Sequence, residues 1–492
     1  MHITVYQGAP GSRKTLTFLD TALDNPGLYL VAFPRNALID EQAAYCLRKA
    51  AQIGAAPSIL PIHTDQSCHR GQVGRRIKKA LEAEAGQSHV VMMISHAALL
   101  GLDPALLAGW HVAIDENLDG SVVSGIFKAS TSWSVLDRHF RLDPLPGGQT
   151  WEVLPHEEVA PPTRKAITAE GKNGLSAFLT YASQPRRSVF VDVGDWRDAQ
   201  LGRPVRWWSI WSPLILSRCA AVTLIGAGYF ESIPYYASEW LAPRAVTYAA
   251  GPKLTVQRAN PRVRIHYYTR GHVGSTAWWD TDEGHHCLLQ VSDHQKLIGG
   301  PGYWSSNEAI RLVFRGRFPG EWCSPKQAGT NGLIRHTSCL YIYSAKPQMD
   351  DAPIIDLLGL DRDAVRRARE FEDIRQFALR GALRRPDYAG TYDIYLYDLA
   401  QAQDLEAYLR GIGIADLELV PVVEAGVMDV VRPGSAVVAQ KAPLSREERQ
   451  KRNTASQKEK RAKVRAEEKA KGIERKRGRP TKPPVDLEPI AP

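Results

Sequence analysis

GAPGSRKT, from Gly8 to Thr15, follows the alternating apolar run ITVYQ and precedes TLTFLDTAL, whose apolar residues recur at helical spacing. A strand, a glycine-containing loop and a helix in that order bring backbone N–H groups and a helix N-terminus to one point, which is how a chain cradles phosphate. Gly8, Lys14 and Thr15 fit the spacing G-x-x-x-x-G-K-[ST], with Gly11 and Ser12 inside the loop. Arg13 stands where the second glycine belongs, and glycine there normally permits close backbone approach to the phosphate. The octet alone therefore leaves phosphate binding open.

Working outward, LYLVAF (28–33) ends at Pro34 and gives way to the helix-like NALIDEQAAYCLRKA. HVVMMI (89–94) precedes SHAALL, and WHVAI (110–114) ends at Asp115 and Glu116. Short apolar strands alternating with helical stretches predict an α/β fold with a parallel sheet covered on both faces. Ligands in such sheets bind beyond the carboxyl ends of the strands, where these loop residues fall. Residues 117–222 are less regular, with the joints LDPLPGGQ and HEEVAPPTRK, a strand SVFVDV, and then the strand AVTLIGAGYF ending in small residues. Past about residue 243 a second series follows, with RVRIHYY, CLLQVSD, LYIYS and TYDIYLYD read as strands and RDAVRRAREFEDIRQFALRGAL as one helical run. The expected organisation is a first lobe at 1–242 carrying an insert at about 118–220, a second lobe at 243–440, and a tail at 441–492.

The chain has 492 residues, 44% hydrophobic and 23% charged, an ordinary globular composition. Apolar runs stay well short of the ~18 residues that span a bilayer, and MHITVYQ lacks the basic n-region and apolar core of a signal peptide. A cytoplasmic protein without membrane partners is expected. Six cysteines are scattered singly, outside zinc spacing, and read as reduced thiols; His285 and His286 read as plain loop or strand residues. The net charge of +9 lies wholly beyond residue 440, where 17 Lys+Arg face 8 Asp+Glu. That tail has too few large apolar residues to offset its ordering entropy, so it is expected to be disordered and to attract nucleic-acid phosphates. Within it, Arg477-Gly-Arg479-Pro resembles the core of an AT-hook, which lies in a narrow A·T minor groove. RWWSIW and STAWWD read as packing aromatics rather than base-stacking ones.

Asp115 and Glu116 end a strand where an ATPase places acidic groups for Mg2+ and for the attacking water. Gln376, Arg380 and Arg384 stand at i, i+4 and i+8, on roughly one face if the run is a continuous helix. Cations so placed stabilise charge on a transferring phosphoryl group.

Taken in order, GAPGSRKT, PRNALIDEQ, ISHAAL, IDEN, LIGAGY, AGTNG and QFALRGALR resemble the successive motifs of superfamily 2 helicases, in the form seen among phage and mobile-element DEAD-like helicases. The resemblance runs from about residue 3 to residue 400. It implies two RecA-like P-loop lobes with parallel sheets, ATP and Mg2+ between them, and nucleic acid across the top. It also implies that Gly8, Gly11, Ser12, Arg13, Lys14 and Thr15 bind the nucleotide and that Thr15 and Asp115 hold Mg2+. Glu116, Gln376, Arg380 and Arg384 would be catalytic. Pro34, Arg35, Ser95, His96, Thr330 and Asn331, with Arg477 and Arg479 of the tail, would lie along nucleic acid. The activity so implied is an ATP-dependent helicase or translocase on DNA, single-stranded or duplex, with RNA also open. It would serve replication of a phage or mobile element, alongside replication proteins. Arg13, the IDEN variant and the long insert depart from the common pattern. Two other readings stand beside it: a Zot-like P-loop ATPase that packages or assembles without unwinding, and a DNA-binding protein whose NTPase site has decayed at Arg13.

Overall fold

The computed structural model describes residues 1–64, 72–118, 120–129, 133–145, 148–160, 162–163, 174–184, 186–252, 254, 257–326, 332–348 and 351–432. The first half supplies β1 (His2–Tyr6), β2 (Leu28–Phe33), β3 (Ser58–Pro61), β4 (Val90–Ser95) and β5 (His111–Asp115). Helix α1 (Lys14–Asp24) follows β1, and α2 (Asn36–Ile53) follows β2. The insert carries β6 (Val122–Phe127), β7 (Phe140–Pro144), β8 (Thr150–Pro155), β9 (Ser188–Asp192) and β10 (Val205–Ile210). Strands β11 (Ala221–Ile225) and β12 (Thr247–Ala250) return to the first sheet, which has the order β12-β1-β11-β5-β2-β4-β3 and is parallel throughout.

The period of two explains how this sheet is buried. Leu30, Ala32, Met92 and Val112 point into one core, while their neighbours Val31, Val91, Met93 and Ala113 point into another on the opposite face. Buried on both sides, these strands must be apolar at every position, which is why LYLVAF and VVMMI read as unbroken runs.

A second parallel sheet, order β15-β14-β16-β17-β13-β18, is built from β13 (Arg262–Thr269), β14 (Tyr303–Ser306), β15 (Glu321–Trp322), β16 (Ser338–Ile342), β17 (Thr391–Asp398) and β18 (Leu417–Pro421). It too sorts alternate residues into two cores, with Ile265, Tyr341 and Ile394 on one side and Tyr268, Leu340 and Ile342 on the other. The protein is thus α/β, with two RecA-like lobes.

The insert is the crossover between two neighbouring parallel strands, since β5 and β11 pair directly with Asp115 opposite Ile225. Its own five-stranded sheet is antiparallel, order β6-β10-β9-β8-β7. The neck is closed by Trp211 N–H on the Ser121 carbonyl at 2.7 Å. Arg187, buried there, donates to the carbonyls of Gly120 and Ser121 and to the Ser209 hydroxyl, each at 2.8 Å. One face of the insert packs Phe190, Trp208 and Ile210 against Ala237 of the helix Ile233–Leu241 and Ile354 of the helix Ala352–Leu357.

Several expectations need correction. CLLQVSD, with His285 and His286 before it, lies in the helix Asp282–Leu297 and is no strand. Thr281 caps that helix by accepting the Gly284 N–H, and Cys287, Leu288 and Val291 are buried at helical rather than alternating spacing. The late helical run is interrupted by a wide turn at Arg367–Phe371 and ends at Ala378, so Gln376, Arg380 and Arg384 do not share one helix face. Beyond its end, Gly381 lies where a side chain would fall 2.1 Å from the Tyr392 hydroxyl. The first sheet takes in β12, beyond the boundary expected at residue 242. Trp207, Trp208, Trp211, Trp278 and Trp279 are all buried, as packing aromatics should be. Thr330, Asn331, Arg477 and Arg479 lie outside the described residues.

Candidate functional site

The glycine loop between β1 and α1 adopts the conformation its pattern demands. Gly8 and Gly11 have φ of 151° and 84°, and a side chain on Gly8 would meet the Ser12 hydroxyl at 2.6 Å. Arg13 itself sits at φ 64°, ψ 19°, immediately before the helix. The loop therefore keeps the left-handed backbone that glycine adopts without cost, at roughly 1 kcal/mol for a side-chain-bearing residue. The Arg13 side chain is exposed.

Lys14 is only 6% exposed, and its ammonium donates to the Gly8 and Ala9 carbonyls at 2.7 and 3.1 Å. Burial lowers its pKa, opposed by the charges of Glu116 and Asp115. Thr15 donates its hydroxyl to Asp115 Oδ1 at 2.6 Å, joining the start of α1 to the end of β5. Asp115 is 3% exposed, and burial, then the neighbouring Glu116, raises its pKa. Glu116 takes a left-handed φ of 64°, with its N–H on the Ile225 carbonyl. Strain of this kind concentrates at functional positions.

The second lobe meets this edge. Gln376 places its amide N–H₂ 3.0 Å from Glu372 and 3.4 Å from Glu116, and accepts from Arg380 Nη2 at 2.7 Å. Arg380 is 1% exposed, and burial lowers its pKa to about 10; burial also lowers that of Arg384. Arg258 ties both sides, donating to Leu383 and Pro10 carbonyls. A cavity of about 380 Å³ results, lined by Gly11, Ser12, Arg13, Lys14 and Thr15, by Asp115 and Glu116, and by Arg380 and Arg384. Ser12 Oγ, Gln42 Oε1 and Arg380 Nε are buried with no hydrogen-bond partner among the described residues, the condition of groups that await a ligand.

A second cavity, of about 280 Å³, includes Glu116 and Gln376 with Pro34, Asn117, Lys326 and Arg369. Arg35 donates to the Lys326 carbonyl across the lobes. Ser95 caps the next helix by accepting Ala98 N–H, and His96, 4% exposed, has Nε2 on the Asp115 carbonyl at 2.8 Å. His96 therefore braces the acidic strand end, while Ser95 serves as a helix cap; the imidazole of His96 has no outward face to offer a strand of nucleic acid.

Sequence reading missed α2 as a wall of the first cavity, where Glu41, Gln42, Tyr45 and Arg48 line it. The signal was present, since positions 41, 45 and 48 recur at i, i+4 and i+7. Glu372, four residues before Gln376 and on the wall of the second cavity, was also missed.

Two all-parallel sheets meeting at a glycine loop, an acidic strand end, the buried Arg380 and the half-buried Arg384 define a two-lobed P-loop architecture. No protein-family model and no curated protein matches this chain. Among solved structures it is similar to apo XPD, with a TM-score of 0.48 and 12% identity, covering 85% of this chain and 97% of that one. It is also similar to S. cerevisiae Dbp5 bound to RNA and ADP BeF3, with a TM-score of 0.32 and 12% identity, covering 86% of each chain. The DUF1998 helicase MrfA bound to DNA and AMPPNP gives a TM-score of 0.32 and 11% identity, over 86% of this chain and 50% of that one. No helix among the described residues is long and apolar enough to cross a membrane.

Proposed function

We propose that the chain is an ATP-dependent motor that moves along or unwinds nucleic acid, DNA in the first instance, in replication of a phage or mobile element. The observation that carries this is the single cavity into which one lobe sends Lys14, Thr15, Asp115 and Glu116 and the other sends Arg380 and Arg384.

Lys14, freed from the Gly8 and Ala9 carbonyls, would reach the β- and γ-phosphates, and the first N–H groups of α1 would take the remaining oxygens. Thr15 and Asp115 present two hard oxygens 2.6 Å apart, a donor pair that suits Mg2+. Bound there, Mg2+ supplies charge neutralisation across the phosphates. Glu116 would orient the attacking water, held by its fixed backbone and by Gln376. Arg380 and Arg384, partly stripped of water by burial, would stabilise the transition state, a contribution on the order of 10³–10⁵ in rate for such arginines. Because the arginines and the phosphate loop belong to different lobes, loss of the γ-phosphate would release one lobe from the other, and that relaxation would drive the step along the strand. Pro34 and Arg35, with Thr330 and Asn331, would border the strand. The basic tail, with Arg477 and Arg479, would add salt-sensitive phosphate attraction.

The test is the ATPase rate with and without single-stranded DNA, alongside Lys14→Ala. Stimulated hydrolysis that Lys14→Ala removes supports the motor. Tight DNA binding with neither hydrolysis nor nucleotide binding would overturn it in favour of a binding factor on the same frame.

A further inference from the structure

The first cavity is not uniform along its length. One end holds the charged groups already described. The remainder is walled by Ile334 and residues 385–387 of the second lobe and by α2, where Gln42 and Tyr45, three residues apart, are neighbours on one helix face. Tyr45 donates its hydroxyl to Asp20 Oδ1 at 2.5 Å, which fixes its ring against α1. Asp20 lies six residues along α1 from Lys14, about 9 Å at 1.5 Å per residue, so the ring is set back from the phosphate loop by roughly the reach of a sugar. Burial, with Asp20 beside it, pushes the Tyr45 phenol up to about 12, so it stays a neutral hydrogen-bond donor in ordinary conditions. Gln42 is 7% exposed, and its Oε1 has no hydrogen-bond partner among the described residues. A buried acceptor left unpaired costs stability unless a ligand completes it.

We infer that Gln42 and Tyr45 form the nucleobase subsite, Tyr45 as the platform on which the base stacks and Gln42 Oε1 as acceptor for an exocyclic amino group. The inference rests on the nucleotide reading of the cavity and adds to it a choice of base. Stacking is indifferent to base identity, since every base has a π face. The amide is not indifferent: adenine sets an amino donor at position 6 beside the N7 acceptor, so Oε1 and Nε2 can both bond, whereas hypoxanthine sets two acceptors there and leaves Oε1 unpaired whichever way the amide turns. A site whose buried polar group is left unpaired rejects the analogue that lacks the matching group.

The experiment compares ATP and ITP as substrates for the full-length wild type, Gln42→Leu, Tyr45→Ala and Tyr45→Phe, with inorganic tripolyphosphate as a base-free competitor. Wild type should favour ATP over ITP by about tenfold in kcat/KM, and Gln42→Leu should bring that ratio near one. Tyr45→Ala should raise KM for both nucleotides about tenfold, with most of the change in KM rather than kcat, while tripolyphosphate inhibits as before. Tyr45→Phe, keeping the ring and losing its tether, should fall between wild type and Tyr45→Ala. Equal use of ATP and ITP by wild type, a ratio unmoved by Gln42→Leu, or parallel loss of tripolyphosphate affinity in Tyr45→Ala would each overturn the subsite. If wild type binds neither ATP nor tripolyphosphate, the phosphate site itself fails and the inference falls with it.

Discussion

Glu370 is fully buried in the second lobe, at the wide turn that precedes the helix bearing Gln376. One carboxylate oxygen accepts from the Ser344 hydroxyl at 3.1 Å and from Ala345 N–H at 3.0 Å; the other accepts from Arg366 Nε at 2.9 Å and Gln401 Nε2 at 3.1 Å. Asp398, also buried, lies 3.7 Å from the same guanidinium. Glu370→Ala would leave Arg366 with the more distant Asp398 as its counter-charge and would leave a buried amide and an N–H without their acceptor. Removing one partner of such a pair costs about 3–5 kcal/mol. For a lobe of this size each kcal/mol shifts Tm by about 2–4 °C, so the second-lobe transition should fall by roughly 10 °C or more. Calorimetry gives the shift, and hydrogen exchange at Ala345 and Gln401 N–H assigns it to this lobe. Glu370→Gln, which keeps the shape and one acceptor, should recover part of the loss. A Glu370→Ala protein within 1 °C of wild type would refute the reasoning, because it would mean the buried guanidinium is neutralised elsewhere.

Other consequences are as direct. Arg13→Gly should change stability by less than about 1 kcal/mol, since relief of the left-handed backbone is offset by glycine's freedom in the unfolded chain, whereas Arg13→Val should cost about 2 kcal/mol; thermal unfolding of the pair checks this, and equal values would dismiss the strain. Gly381→Ala should cost about 1–3 kcal/mol through collision with the Tyr392 hydroxyl and should displace Arg380 and Arg384, so that kcat for ATP falls well below wild type at saturating nucleotide; unchanged kcat would separate the two features. Asp393 is raised by burial, but hydrogen bonds from His266 and Arg264 and their charges outweigh this and hold it at about 2. Its folded pKa lies below the unfolded value near 4, so about 2 kcal/mol of stability present above pH 4 should be lost as pH falls towards 2. Asp393→Asn should flatten that part of the stability curve, and an unchanged acid limb would count against the pairing.

The strands of the first lobe were legible because burial on both faces leaves no position for a polar residue, so LYLVAF and VVMMI announce themselves. The helix Asp282–Leu297 was misread because its buried residues, Cys287, Leu288 and Val291, sit in a run short enough to pass for a strand, and the Thr281 cap lay outside it. In the insert the buried strand SVFVDV was legible as β9, whereas TWEVLP was not, because it is half-buried and carries no run of apolar residues. At the site, Lys14, Thr15, Asp115 and Glu116 were recoverable because each sits at a strand end next to a loop signal. The contribution of α2 was signalled by the helical spacing of residues 41, 45 and 48 but went unread, since Tyr45 and Gln42 acquire their setting only when α1 and the second lobe close around them. His96 looked available in sequence because nothing there shows that the Asp115 carbonyl lies within its reach.

A parallel pair such as β5 and β11 can be joined only by a chain that leaves the sheet and returns on the same side, and a dozen residues suffice. Here some hundred residues fill that role, entering and leaving through a neck held by Ser121, Trp211 and Arg187. The entropy of closing a connection grows only with the logarithm of its length, so the first sheet is nearly indifferent to what is carried there. The position behaves as a socket: evolution, or an engineer, could exchange the whole module while leaving the acidic strand end at Asp115 in register. The constraint on any replacement lies elsewhere, in the apolar face that Phe190, Trp208 and Ile210 present to Ala237 and Ile354, which the newcomer would have to cover.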